Sequence, residues 1–218
     1  MNDPFLRRYF IAIAGNIGAG KTTLAQRLAQ QLGWRCELEP VINNPYLADF
    51  YADMSRWSFH LQVYFLSKRF ESQLGIERHH QSCVQDRTIY EDAEIFARTL
   101  HARGFMSERD WENYRSLFDA MTDQLKRPDL IIYLKSDVPS LLRRIELRGR
   151  EYERSIDPDY LAQLNDAYES WCGAPGGALN IATIDTGRGL GISQEEVMAE
   201  ALHLLKTKLQ IELPFKHA

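Results

Sequence analysis

Short apolar runs alternate with longer amphipathic stretches from one end of this 218-residue chain to the other. Tyr9 to Ala14 is a continuous apolar run of strand length. Leu130 to Leu134 and Ile181 to Ile184 repeat the pattern, and Arg35-Cys36-Glu37-Leu38 and Cys83-Val84-Gln85 are shorter strand candidates. The run from Leu130 has no polar position, which predicts a parallel strand covered on both faces. Between these runs the spacing changes to that of helices. Leu24, Leu28 and Leu32 share one face and stop at Gly33. A short helix is predicted over Tyr46 to Ala52, and a long one from Ser55 to about Glu77 with Trp57, Leu61, Tyr64, Phe65 and Leu66 among its apolar positions. Another runs from Tyr90 or Asp92 to His101. Ser107-x-x-Asp110 reads as a capping box for a helix reaching about Leu125, and Ser193-x-x-Glu196 as a second, for a helix to about Leu209. Ser136 or Asp137 caps a helix with Pro139 in its first turn that extends to Arg148. Asp157-Pro158 opens the helix through Trp171, which the Gly173 to Gly177 stretch breaks.

Strands that repeatedly lead into helices predict a five-stranded parallel sheet with helices on both faces, an α/β fold. Ligands of such sheets sit at the carboxyl ends of the strands. Three predicted strand ends carry chemistry there: Gly15 with the loop after it, Glu39, and Asp86-Arg87. No linker, internal repeat or low-complexity stretch divides residues 1–218, so one domain is expected.

Composition narrows the function. Hydrophobic residues make up 44% of the chain and the net charge is −4. Such a balance gives no basic field for nucleic acid or anionic lipid. No apolar run approaches the ~20 residues of a membrane span. The N-terminal residues lack a secretory pattern, so a cytoplasmic protein is expected. Cys36, Cys83 and Cys172 are too scattered for a disulfide framework or a Cys-x-x-Cys metal site.

The stretch with the sharpest chemistry is Gly15-Asn16-Ile17-Gly18-Ala19-Gly20-Lys21-Thr22-Thr23. It matches G-x-x-x-x-G-K-[ST], with a strand before it and a helix after it. The helix N-terminus points backbone N–H groups and the positive end of its dipole at one spot, which suits a phosphate. Lys21 reaches toward β- and γ-phosphates, and Thr22 offers a hydroxyl to Mg²⁺.

Phosphoryl transfer also needs a base, metal-shell oxygens and cations on the developing charge. Glu39 is a candidate general base. Asp86 suits the Mg²⁺ shell, and Arg87 suits a phosphate or hydroxyl oxygen. Arg144 and Arg148 share a helix face, with Arg150 just beyond, and together read as a lid over about 144–155. Tyr51, Trp57, Phe59, Gln62, Arg69, Asp92 and Phe96 form a further group in which Gln62 has both donor and acceptor for a base edge.

These pieces stand in the order found in the deoxyribonucleoside kinases, the family that includes deoxycytidine, deoxyguanosine and bacterial deoxyadenosine kinases. Gly15 to Thr22, Glu39-Pro40-Val41, Tyr51, Trp57 to Gln62, Asp86-Arg87-Thr88 with Asp92, and Arg148-Gly149-Arg150 with Glu153 carry the resemblance, which runs from Phe10 to about Trp171. It implies a P-loop kinase that moves the γ-phosphate of ATP, with Mg²⁺, to the 5′-hydroxyl of a deoxynucleoside. It implies Glu39 as base, Arg87 and Lys21 at the transferred group, and Tyr51 with Glu153 on the sugar 3′-hydroxyl. Gln62 is implied as the base-reading amide, with Phe96 stacking and Trp57 lining. Arg144, Arg148 and Arg150 match the lid, and the donor adenine is expected near the loop after Asp185. Asp86, where many animal members have Glu, is similar to the bacterial branch. Arg69 and Asp92 fall where purine-preferring members keep a pair, and this favours deoxyadenosine or deoxyguanosine. The pair also occurs in the deoxycytidine branch. The resemblance further implies a homodimer through a helix pair. Two other readings stay open: a thymidylate-type monophosphate kinase, which needs more cations for its acceptor, and a nucleotide-binding regulatory subunit without transfer activity.

Overall fold

Parallel pairing joins β1 (Phe10–Gly15), β2 (Arg35–Glu37), β3 (Cys83–Asp86), β4 (Leu130–Lys135) and β5 (Ile181–Asp185) into one sheet of order β2-β3-β1-β4-β5. The structure is a computed structural model and describes residues 7–38, 44–153, 156–174, 179–187 and 192–211. β1 lies at the centre, with Ile13 opposite Asp86 on β3 and Gly15 opposite Leu134 on β4. Its last residue therefore opens between two strand ends.

The helices are α1 (Lys21–Leu32), α2 (Leu47–Ala52), α3 (Met54–Arg78), α4 (Ile89–Glu91), α5 (Arg98–Ala102), α6 (Glu108–Thr122), α7 (Val138–Arg148), α8 (Pro158–Gly173) and α9 (Gln194–Leu209). One face of the sheet presents Ile11, Ile13, Val84 and Ile132, which pack with Leu24 and Leu28 of α1 and Ala201 and Leu205 of α9. The other presents Ala12, Ala14, Ile131 and Tyr133, which pack with Leu61 and Phe65 of α3 and Leu164 and Tyr168 of α8. This is the predicted arrangement of helices on both faces.

Local differences from the sequence reading have simple causes. α4 starts at Ile89 because Thr88 caps it: its hydroxyl accepts from Glu91 N–H while the Glu91 carboxylate accepts from Thr88 N–H. The expected plain helix to His101 instead contains a π-helical stretch, Asp92–Ala97, between α4 and α5. A π-turn inserts one residue into an otherwise α-helical run, which a short apolar pattern does not reveal, and such turns are frequent at functional sites. Ser107 caps α6 as expected, but the Asp110 carboxylate takes the Ser107 hydroxyl hydrogen, so the bond is not the full reciprocal box. α6 ends at Thr122, short of Leu125. The Ser193–Glu196 box is complete, and Asp137 is the cap of α7.

The three cysteines are free thiols. Burial pushes Cys36 up to about 11 and Cys83 and Cys172 up to about 12. At neutral pH they are protonated, which fits small packing groups better than nucleophiles.

Candidate active site

The phosphate loop is built by backbone that side chains would obstruct. Gly15 has φ 149° and Gly18 φ 83°. A Cβ on Gly15 would meet the Leu134 carbonyl oxygen at 2.9 Å, and one on Gly18 the Leu141 carbonyl oxygen at 2.9 Å. Neither position accepts another residue without moving β4 or α7. Asn16 anchors the loop from beneath: its amide donates to the Leu161 carbonyl at 2.9 Å and to Asn165 Oδ1 at 2.8 Å, and its own oxygen accepts from Ile17 N–H. Lys21 is buried and donates to the Asn16 carbonyl at 2.9 Å. Ile17, Ala19, Gly20 and Thr23 complete the wall that the loop gives to a cavity of about 590 Å³.

Asp86 ends β3, fully buried, and accepts the Thr22 hydroxyl hydrogen at 2.5 Å. The predicted metal residues thus meet. Arg87 has φ 69°, a left-handed conformation that costs a non-glycine residue about 1–3 kcal/mol. Its surroundings hold it there. Its N–H donates to Ile13 O at 3.0 Å, and Arg69 Nη1 donates to the Asp86 and Arg87 carbonyls, each at 3.2 Å. Arg69 Nε also donates to Asp92 Oδ2 at 2.6 Å. Both members of that pair are buried. The guanidinium is turned substantially to backbone, and it is Asp92, not Arg69, that lines the cavity.

The same cavity is lined by Tyr51, Gln62, Phe96 and Glu153, as well as Lys21, Arg87 and the lid arginines. Gln62 is 3% exposed, and its Oε1 has no hydrogen-bond partner among the described residues. A buried amide oxygen left this way is costly unless a ligand satisfies it. Tyr51 stacks on Tyr152 at 5.9 Å, beside Glu153, whose carboxylate accepts from Arg148 at 2.5 Å and Arg150 at 3.3 Å. Arg144 is tied elsewhere, to the Thr186 carbonyl at 3.1 Å and the Ser136 hydroxyl at 3.3 Å. Burial lowers its pKa and the nearby Asp137 partly restores it.

Trp57 and Asp185, like Arg69, stand back from the cavity wall. Trp57 packs against Tyr46 and His60, and Asp185 accepts from Gly187 N–H at 3.0 Å while its neighbour Thr186 lines the cavity. Glu39 lies outside the described residues. The sequence reading missed Glu91, Tyr160 and Tyr168. Tyr160 lines the cavity, while Glu91 and Tyr168 are buried against Arg87. A signal for Glu91 was readable in Thr88-x-x-Glu91, a capping box directly after Arg87.

A glycine loop made for a polyphosphate shares one cavity with an aromatic, amide-bearing pocket suited to a flat heterocycle. A sheet, loop and cavity of this kind define an ATP-dependent nucleoside kinase of the P-loop kinase fold. The family model described as deoxynucleoside kinase matches residues 11–205, and the chain belongs to that family. It is 47% identical over 163 residues to the deoxyadenosine/deoxycytidine kinase of Bacillus subtilis (strain 168), covering 74% of this chain and 75% of that protein. It is 40% identical over 160 residues to the deoxyguanosine kinase of the same organism, covering 73% and 76%. The solved structure of deoxyadenosine kinase from M. mycoides with bound dATP superposes with a TM-score of 0.81 at 26% identity, covering 90% of this chain and 99% of that one. The monophosphate-kinase and regulatory-subunit readings give way to this family.

Proposed function

We propose that this kinase prefers a purine deoxynucleoside, deoxyadenosine or deoxyguanosine, and phosphorylates its 5′-hydroxyl from ATP in nucleotide salvage. The observation that carries the reading is Gln62, a buried amide whose oxygen awaits a partner in a cavity it shares with Asp92. An amide offers a donor and an acceptor side by side, which pairs with an amino group next to a ring nitrogen. Asp92, held by Arg69, adds a fixed acceptor for a further base N–H. Cytosine also has an amino group beside a ring nitrogen, and the relative at 47% identity is named for deoxyadenosine and deoxycytidine. Deoxycytidine as a second acceptor is therefore the alternative.

Glu39 serves as the base on the 5′-hydroxyl in this reading, and Tyr51 with Glu153 meets the 3′-hydroxyl. Thr22 and Asp86 supply hard oxygen donors for Mg²⁺, which neutralises phosphate charge when bound. Among the described residues no group of three or more His, Cys, Asp or Glu side chains stands together as a metal site. The protein is read as a cytoplasmic homodimer acting on small molecules, without nucleic acid or membrane partners. No described helix is long and apolar enough to cross a membrane. The dimer would use α3 and the α5–α6 region, and light scattering coupled to size exclusion tests it.

Steady-state kcat/KM for the four natural deoxynucleosides is the deciding measurement. The two purines are expected to lead, and a lead by deoxycytidine or thymidine overturns the preference. Changing Arg69 and Asp92 together should lower the purine-to-pyrimidine ratio. The ratio, not the absolute rate, is diagnostic, because Arg69 also holds the Arg87 backbone.

A further inference from the structure

Behind the cavity one phenol touches several parts of the transfer machinery. Tyr168 on α8 is fully buried. Its hydroxyl oxygen lies 2.8 Å from the Gly15 carbonyl oxygen, 2.7 Å from Glu91 Oε1 and 3.0 Å from Arg87 Nη1. Arg87 donates to the phenol oxygen, and the single phenol hydrogen faces two acceptors. Glu91 Oε1 accepts in addition from Gly15 N–H at 3.2 Å and lies 3.7 Å from Arg87 Nη1. Between them Tyr168 and Glu91 hold both backbone polar groups of the first glycine of the phosphate loop, and both contact Arg87.

Packing does not explain the hydroxyl. The Tyr168 ring stacks on Tyr133 at 5.1 Å with planes 9° apart and meets Trp171 edge-on at 6.4 Å. Phenylalanine would make the same ring contacts. The hydroxyl's hydrogen-bond partners are Gly15, Glu91 and Arg87. Burial pushes the phenol pKa well above its ordinary value, so the group remains a neutral donor and acceptor. Arg87, meanwhile, sits in a left-handed backbone conformation that it would not choose alone. Its guanidinium orientation has to come from its neighbours.

We propose that Tyr168 is a positioning residue for phosphoryl transfer, its hydroxyl fixing, with Glu91, the Arg87 guanidinium relative to the phosphate loop. The proposal rests on the deoxynucleoside kinase reading, since it requires Arg87 to act on the transferred group. A small displacement of such a group is felt in turnover more than in binding.

Tyr168→Phe tests this beside the unaltered enzyme, with one deoxynucleoside and Mg-ATP. The expected result is a kcat lowered by about tenfold or more with both KM values within about twofold. In an Arg87→Lys background the same change should cost less than about twofold, because its route of action is already broken. Unchanged kcat, a rise in KM alone, or an equal loss in both backgrounds overturns the proposal. If Tyr168→Phe does not fold, Glu91→Gln reports on the same link: a kcat loss that vanishes in the Arg87→Lys background supports it, and one that persists overturns it. An unaltered enzyme that converts no deoxynucleoside sinks the functional reading and this proposal with it. An active enzyme with an equally active Tyr168→Phe sinks this proposal alone.

Discussion

The guanidinium carbon of Arg87 lies 4.3 Å from the centroid of the Phe96 ring. The family resemblance implies that Phe96 stacks on the base. The structure gives it a cation as well, through the π-helical turn that carries both Asp92 and Phe96. Cation–π contacts contribute about 0.5–2 kcal/mol, more when desolvated. Phe96→Leu is therefore expected to raise the nucleoside KM and also lower kcat several-fold. Steady-state kinetics separate the two. A KM effect with kcat intact would confine Phe96 to the base.

Glu39→Gln should leave nucleoside binding in place and cut turnover by ~10²-fold or more, the range of a lost general base. Calorimetric binding of the nucleoside and a rate measurement together make the test. Unchanged turnover removes Glu39 from the role of base.

Contiguity decided what the sequence revealed. The phosphate loop is nine consecutive residues running from the end of a strand into the first turn of a helix, so its residue types and spacing announced it. β1, β4 and β5 were visible as apolar runs, whereas β2, Arg35–Glu37, carries two charged residues and was legible only from its place between a helix and a turn. Arg69 and Asp92 were singled out, but spacing alone could not bring them together, and only the fold closes them to 2.6 Å. The Arg69 bonds to the Asp86 and Arg87 carbonyls were hidden, because backbone acceptors leave no mark in a sequence. Tyr168 was hidden for a different reason. Its contact with Gly15 spans 153 positions, and a tyrosine in an amphipathic helix reads as core. The π-helical stretch was illegible because one extra residue per turn hardly alters an apolar pattern over six residues.

Thr22 and Asp86 meet at 2.5 Å, and the pairing makes a claim about metal dependence. Asp86→Asn keeps an oxygen for the Thr22 hydroxyl but removes the negative charge. The Mg²⁺ concentration for half-maximal rate should rise by about tenfold or more, as when an outer partner of a metal ligand is lost. A magnesium titration of the initial rate measures it, with a melting curve as control for this buried position. An unchanged midpoint would mean that Asp86 takes no part in metal binding, either as a ligand or through Thr22.

The helix that carries Arg144 and Arg148 begins at Asp137, whose carboxylate accepts from Ser140 N–H at 2.7 Å. That backbone bond holds the Asp137 pKa below its ordinary value, against a smaller upward push from burial. A carboxylate with a depressed folded-state pKa stabilises the fold above its unfolded value, about 3.9, and loses that contribution as pH falls through the folded value. Asp137→Ala should cost about 1 kcal/mol near neutral pH, typical of a lost N-cap. The gap between the two proteins should be flat above about pH 5 and narrow once the carboxyl begins to protonate. Asp137→Asn, which caps without titrating, should keep most of the stability and lose this part of the pH dependence. Urea unfolding across the acid range provides the check. A gap that widens on acidification would mean that Asp137 stabilises α7 by some route other than its charged cap.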